Sequence, residues 1–341
     1  MHASRWLARG PRACEIPLVP NSRHFELAIV GASGYAGQVL HALVMQHPCI
    51  VPRIASARSP DELEPAELER LASADAIALA LPHEPAIAWT SALLDAGARR
   101  VLDLSDARRR DPEVHYGIPE LFGPPPSEAR LVANPGCYPT ATLLALLPLL
   151  RAGLIEPEGI AVLGTSGASG AGKGLADRLH FCNLAGNSFP YKVGEHRHIP
   201  EIEARLAAPI SFVTQLLPIV RGMLVTCFVR PKASATTLRE ALRDAFADHR
   251  WVSVIDQPEE GLGLAHVVGS HQAVLALGPV ERSGLIPVFA SIDNLMRGAA
   301  SQALHNLNLW LGLDAGLGLP APLASLPAGI APAFAIRTRV S

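Results

Sequence analysis

The first apolar run of the chain, 25–30 (Phe-Glu-Leu-Ala-Ile-Val), lacks helical spacing and predicts a buried strand. A glycine-punctuated turn, 31–37, follows at once, after which Val39, Leu40, Leu43 and Val44 recur at the spacing of a helix with one buried face. Three further apolar runs, about 49–55, 76–81 and 100–104, end in turn-forming or polar residues: Ser56-Ala57-Arg58-Ser59, Pro82-His83-Glu84 and Ser105-Asp106. Repeated units of strand, loop and helix predict an α/β fold with a doubly wound parallel sheet, whose strand ends line a ligand crevice. The uncharged stretch 141–150 predicts a buried helix with Pro139 in its first turn, where a missing N–H breaks no bond. Pro135, Gly136, Pro139 and Pro148 interrupt the longer uncharged run 131–150, which predicts a turn and a core helix instead of a membrane span.

At 341 residues the chain suits two domains. A hydrophobic content of 49%, a charged content of 18% and a formal charge of −2 describe a soluble globular protein without the basic excess of a nucleic-acid binder. The expected partners are small molecules. Five cysteines, Cys14, Cys49, Cys137, Cys182 and Cys227, are scattered without a C-x-x-C pair, which suggests neither a disulfide framework nor a zinc site and fits a reducing cytoplasm. Residues 1–24 carry Arg5, Arg9, Arg12 and Arg23 against Glu15, the composition of a disordered, transit-like extension or an upstream start, with no apolar core of signal-peptide length. Residues 315–335 contain no charge and four prolines, which predicts a loosely docked tail.

The chemistry concentrates in Asn134-Pro135-Gly136-Cys137-Tyr138-Pro139-Thr140. The stretch puts one thiol at a strand-to-helix junction, where free N–H groups and the helix dipole lower a thiol pKa from about 8.5 and can hold an oxyanion. Taken alone, a lone cysteine reads more simply as a small buried hydrophobe. The turn 31–37 has the spacing G-x-x-G-x-x-G of a dinucleotide fold, with Gly31, Ser33, Gly34, Tyr35 and Ala36 as candidate contacts; a structural glycine turn is the plainer reading. Ser56, Arg58 and Ser59 stand where an NAD enzyme more often has an acid, so they point to the 2′-phosphate of NADP(H), against a merely solvated Arg58. Pro82, at the next strand end, is a further cofactor candidate. His196 and His198 have no third ligand at metal spacing, so no metal site is expected. Gly167 to Lys173 fits G-x-x-x-x-G-K, but Gly174 follows where a P-loop needs Ser or Thr, which argues against a nucleotide triphosphatase.

NPGCYPT, with Pro148 closing its helix, resembles the active-site signature of the N-acetyl-gamma-glutamyl-phosphate reductase family, relatives of aspartate-semialdehyde dehydrogenase. GASGYAG at 31–37, ALPH at 80–83, YGIPEL at 116–121, GTSGASGAGKG at 164–174, GEHRHIPEI at 194–202, LLPIVRGM at 216–223 and DNLMRGAASQALHNLN at 293–308 resemble the same family in order, over roughly 25–315. The resemblance implies a Rossmann-type NADP-binding domain at 25–137, completed by a returning helix near 293–312 that opens at Asp293-Asn294-Leu295. It further implies an α+β catalytic and oligomerisation domain with a mixed sheet at 138–292, and a tail at 313–341. It implies Cys137 as nucleophile and His198 as general acid/base, although the residues themselves leave His196 open for that role. His196, Arg197, Glu201 and Arg221 would bind substrate; Ser166, Gly167 and Asn294 would contact the cofactor. The implied reaction is NADPH-dependent reduction of N-acetyl-L-glutamyl 5-phosphate to the semialdehyde and phosphate in arginine biosynthesis, by a cytoplasmic homodimer or homotetramer.

An aminoadipyl or aspartyl phosphate as substrate is the neighbouring alternative, and a non-catalytic NADP-binding protein the alternative of another class. The presence of Cys137, His198 and Pro139 together argues against the last. Departures from the family pattern stand out, among them a short stretch leading to Tyr116. The segment between Ser59 and Asp75 is short, Leu104-Ser105-Asp106-Ala107-Arg108 is altered, His271 replaces the usual Asn after Gly-Ser, and Arg297 replaces the usual Lys.

Overall fold

The computed structural model describes residues 24–55 and 57–320. The extension before His24, Ser56 and the tail beyond Pro320 lie outside the described residues. The first sheet contains β1 (Phe25–Val30), β2 (Ile50–Ala55), β3 (Ala76–Leu79), β4 (Val101–Asp103), β5 (His115–Tyr116) and β6 (Leu131–Ala133). All are parallel, in the order β2-β1-β3-β4-β6-β5. Helices α1 (Tyr35–Val44), α2 (Pro65–Ala72), α3 (His83–Asp95) and α4 (Pro119–Phe122) connect them. Covered on both faces, β1 and β3 read as unbroken apolar runs: Ala28 to Val30 and Ala76 to Leu79 are fully buried. The chain passes from β1 outward to β2 and then places β3 on the other side of β1, so the topological switch lies between the carboxyl ends of β1 and β3.

Helix α5 (Cys137–Arg151) begins at the thiol itself, with Pro139 in its first turn as expected, and eleven of its residues are buried. A helix that is apolar on every side belongs between layers, and α5 lies against the second sheet. Pro148 does not close it. The proline forfeits only its own N–H bond, and Ala152 N–H still donates to Pro148 O at 3.0 Å.

The second sheet is mixed. It is built from β7 (Ile160–Gly167), β8 (Phe189–Tyr191), β9 (Ile210–Leu217), β10 (Met223–Val229), β11 (Val252–Ile255), β12 (Ala273–Leu277) and β13 (Ile286–Ile292). Their order is β11-β12-β13-β10-β7-β9-β8, with β11/β12 and β7/β9 parallel and the remaining pairs antiparallel. Helices α6 (Phe181–Leu184), α7 (Ile199–Leu206), α8 (Ala235–Ala245) and α9 (Pro258–Gly261) lie between these strands in sequence. Burial alternates along β7 and β10, so one face is core and the other keeps Leu163, Leu224, Phe228, Val213 and Phe289 partly exposed.

The chain then returns to the first domain. Asp293 Oδ1 accepts the N–H groups of Leu295 and Met296 at 2.8 and 3.0 Å and so caps the helical stretch that follows. That stretch opens as a π turn, Met296–Ala300, before α10 (Ser301–Trp310). Met296, Ala300, Leu304, Leu307 and Trp310 share one core with Leu27, Ile29, Val39 and Leu40. Among the described residues no helix is long and apolar enough to cross a membrane.

Candidate active site

Loops at the carboxyl edge of the first sheet converge with segments of the second domain. Gly31, after β1, holds φ +86°, and a Cβ there would lie 2.4 Å from Ala80 O at the end of β3. A Cβ at Gly37 would lie 2.4 Å from Gly31 O. Only glycine allows this turn to sit on the switch point. Gly34 caps α1 without any side-chain hydrogen bond to the first-turn N–H groups, and a Cβ there would meet only ordinary contacts, Gly31 O at 3.7 Å and Ala80 O at 3.9 Å. Such a helix start suits a phosphate, so the residues fit a dinucleotide. Ser33 and Tyr35 are exposed and Ala36 half-buried at its rim; Pro82 is the exposed N-cap of α3.

Arg58 is exposed just beyond β2, and its N–H donates to Glu62 Oε2 at 2.9 Å. Ser59 Oγ accepts the Asp61 N–H at 3.4 Å. Two carboxylates therefore share the short loop with the candidate 2′-phosphate contacts. From the second domain, Ser166 is buried and donates to Gly167 O at 3.1 Å. Asn294 spends its amide on protein partners: Nδ2 donates to Ser169 Oγ at 3.0 Å and Oδ1 accepts the Gly222 N–H at 2.9 Å. Lys173 reaches across the domains and donates to Ser33 O at 3.1 Å.

Around the thiol the packing is tight at Gly136, the N-cap of α5. A Cβ there would lie 2.5 Å from His198 Nε2 and 2.8 Å from an Arg109 Nη. His198 and Arg109 thus press on the backbone immediately before Cys137. Glu201 Oε1 accepts the Gly136 N–H at 3.0 Å and the Tyr116 hydroxyl at 2.6 Å, and Oε2 pairs with Arg109 at 3.2 Å. Arg109 also donates to Asn134 O and Leu104 O at 2.8 and 2.7 Å. Both Glu201 oxygens are therefore engaged by protein groups.

His196 is turned differently. Its Nδ1 accepts the His198 N–H at 3.2 Å, and its ring packs edge-on against Tyr138, Tyr191 and Phe212. The neutral ring then carries its proton on Nε2. Arg197 is exposed and pairs with Asp106 at 3.8 Å; Asp106 in turn meets His83 Nδ1 at 2.9 Å. Arg221 is half-buried in the segment between β9 and β10 that packs on Gly167.

The electrostatics correct one expectation. Although part of the Cys137 surface is open, the groups packed around the sulfur push the thiol up to about 11, against the opposing pull of Arg197, the Tyr138 N–H and Arg109. A lowered thiol, expected from the helix start alone, is not the resting state, because desolvation outweighs the N–H groups. Burial also holds His198 well below the ordinary histidine range, with Arg109, His196 and Arg197 acting in the same direction. Burial, Lys192 and Arg197 bring His196 to about 4. Both rings are neutral at neutral pH, and a neutral imidazole can accept a proton. His198 Nδ1 is buried without a partner.

Gly298 packs on Cys137, Arg109 on Gly136, and Tyr116 and Asp106 join through Glu201 and Arg197; none of these four had been singled out as a site residue. Arg109 lies in the run Arg108-Arg109-Arg110, which reads as a solvated surface, and only its position after β4 could have marked it.

Two family models match the chain: the semialdehyde dehydrogenase NAD binding domain over residues 26–125, and the semialdehyde dehydrogenase dimerisation domain over 137–294. The protein is an oxidoreductase of the semialdehyde dehydrogenase class. A relative from Geobacillus thermodenitrificans named N-acetyl-gamma-glutamyl-phosphate reductase is 36% identical over 338 residues, covering 86% of this chain and 98% of its own length. One of the same name from Desulforudis audaxviator is 36% identical over 342 residues, covering 87% and 98%. The chain belongs to the N-acetyl-gamma-glutamyl-phosphate reductase family. The fold is also that of aspartate semialdehyde dehydrogenase II from Vibrio cholerae, with TM-score 0.67, 17% identity, and coverage of 85% of this chain and 99% of that one. The Candida albicans aspartate semialdehyde dehydrogenase solved with NADP gives TM-score 0.62 at 15% identity, covering 84% and 98%.

Proposed function

We propose that the protein reduces N-acetyl-L-glutamyl 5-phosphate to N-acetyl-L-glutamate 5-semialdehyde with NADPH, in arginine biosynthesis. The observation that carries this reading is the convergence of His198 and Arg109 on Gly136, at the helix start that presents Cys137. Relatives matched over 98% of their own length are named for that reduction. His198 accepts the Cys137 proton. The sulfur attacks the acyl carbon, an S–C bond forms, the C–O bond to phosphate breaks, and the departing phosphate takes the proton from His198. The dinucleotide, when bound, supplies the hydride that reduces the thioester. The C–S bond of the reduced adduct then breaks, releasing the semialdehyde and a Cys137 thiolate that His198 reprotonates from solvent.

His196, Arg197 and Arg221 hold the phosphate or α-carboxylate, guanidinium groups being suited to either by paired hydrogen bonds. Glu201 serves the substrate through the groups it fixes, Gly136 and Arg109. Gly31, Ser33, Gly34, Tyr35 and Ala36 hold the pyrophosphate side, Pro82, Ser166, Gly167 and Asn294 the nicotinamide side, and Ser56, Arg58 and Ser59 the 2′-phosphate. The half-exposed face of the second sheet, with Leu163, Leu224 and Phe228, pairs with a second copy to give a homo-oligomer.

The test is NADP reduction by the purified protein with N-acetylglutamate 5-semialdehyde and phosphate, run beside aspartate semialdehyde, the aminoadipate homologue and NAD. Phosphate-dependent turnover with the first substrate and NADP is the expected result, and Cys137→Ser should abolish it while still binding NADP. Preference for another semialdehyde would reject the substrate assignment. Turnover by Cys137→Ser would remove the thioester.

A further inference from the structure

Behind the thiol lies a buried ionic cluster that the proposed reaction does not use. Arg297 has no exposed surface. Its guanidinium pairs with Glu120 Oε1 at 2.7 Å and, through its other terminal nitrogen, meets His271 Nε2. With that nitrogen facing a donor, the His271 proton sits on Nδ1 and is directed at Ser301 Oγ, 2.8 Å away. His305 Nδ1 lies 3.2 Å from His271 Nε2 and 3.8 Å from Glu120 Oε1. Burial would raise the Glu120 carboxyl, but Arg297 and His305 outweigh it and hold the group below its ordinary range.

Ligand atoms of Glu120, His271 and His305 lie within 4.8 Å of one another, close enough for a shared metal ion. The guanidinium already rests on two of the three, so a second cation would face it at short range in a medium that screens poorly. The cluster carries its own cation and is not a metal centre.

Its members come from four places: Glu120 from α4 of the first domain, His271 from the approach to β12, Arg297 from the π turn and His305 from α10. The next residue of that turn is Gly298, where a Cβ would lie 2.5 Å from Cys137 Cβ and 3.0 Å from Cys137 Cα. Ala299 O accepts the Asn134 side-chain amide at 3.1 Å. The π turn is thus the wall on which the thiol-bearing residue rests, and π turns commonly mark functional positions.

We propose that Arg297, held by Glu120 and His271, is a positioning residue for Cys137 and acts through Gly298. The inference rests on Cys137 being the nucleophile. His271 and Arg297, which touch here, are also two positions where the family resemblance implies Asn and Lys. A guanidinium has two terminal nitrogens to span Glu120 and a histidine; a lysine has one, and an asparagine is shorter. The two departures form a matched pair.

The readouts are kcat, NADPH binding, melting temperature and the pH dependence of Cys137 alkylation by iodoacetamide, which needs no substrate. Gly298→Ala should bind NADPH within about twofold of the parent yet lose at least about tenfold in kcat, with an altered alkylation profile, because small displacements of a reacting atom carry losses of that size. Arg297→Lys and His271→Asn should each give a smaller change of the same kind, and the double variant should recover most of it. Loss of melting temperature alone, with kcat and the alkylation profile unchanged, would make the cluster merely structural and overturn the proposal. If Arg297→Lys does not fold, Gly298→Ala and the double variant decide by the same readouts. Turnover by Cys137→Ser would reject the nucleophile itself, a result distinguishable because the alkylation comparison does not involve turnover.

Discussion

Glu201 accepts the backbone N–H of Gly136 at 3.0 Å, so a carboxylate of the second domain holds the residue that precedes the thiol. The same carboxylate takes the Tyr116 hydroxyl and pairs with Arg109. One buried acid therefore joins four chain segments around the start of α5. A helix start left to itself frays; this one is tied from outside the helix.

Glu201→Gln keeps an acceptor for Gly136 and Tyr116 but takes from buried Arg109 its strongest countercharge, leaving only Asp103 and Asp106 nearby. Breaking a buried pair in this way costs about 3–5 kcal/mol. Urea unfolding should show a loss of that order, and kcat should fall with it.

Gly136→Ala asks His198 and Arg109 to retreat from a Cβ placed 2.5 and 2.8 Å away. Neither side chain is free to move, since Arg109 makes three further polar contacts and His198 is buried. Turnover should drop by roughly a hundredfold, as misplacements near 1 Å do, while NADP binding at the distant glycine turn stays intact. Steady-state kinetics beside fluorescence titration of NADPH checks both halves.

Stability should fall as the solution is acidified from pH 7 to 5. His196 and His305 are each held near 4 by burial, below the unfolded value of 6.5. The unfolded chain therefore binds protons first, so the stabilisation is complete above about 6.5 and is lost as pH falls toward 4. Each histidine contributes about 2 kcal/mol of that loss by pH 5. Asp106 and Glu120, held below their ordinary range, add to the loss only at lower pH. Chemical unfolding at several pH values measures the slope, and a flat profile would contradict the buried neutral rings.

Cys137, raised to about 11, should be alkylated slowly at neutral pH, with a rate climbing about tenfold per pH unit until the thiol titrates. Arg197 is the strongest charge favouring its thiolate, so Arg197→Gln should move the midpoint higher still. A midpoint near 7 in the free chain would contradict the dominance of burial.

The parallel sheet was legible because strands buried on both faces write continuous apolar runs, as Ala76 to Leu79 does, and because glycines such as Gly31 are required by backbone contact. Cys137 at a helix start was equally legible from Pro139 and the uncharged run after it. What escaped were contacts set by distance through space. Arg109 looks like its neighbours Arg108 and Arg110 until the fold buries only the middle one deeply. The raised thiol escaped because desolvation depends on what packs around the sulfur, and no spacing encodes that. Pro148 misled as a terminator, since a proline near the end of a helix removes one bond without stopping the turn.

The core shared by Leu27 and Leu307 carries a consequence for biosynthesis. On a ribosome adding about 5–20 residues per second, the nucleotide-binding half waits tens of seconds for the helix that completes it. Throughout that interval Leu27 and Ile29 of its sheet and Leu40 of α1 stand without their final cover, which makes the nascent chain a natural client for holding chaperones. A stop codon anywhere before Ser301 would leave an aggregation-prone fragment rather than a working cofactor-binding module.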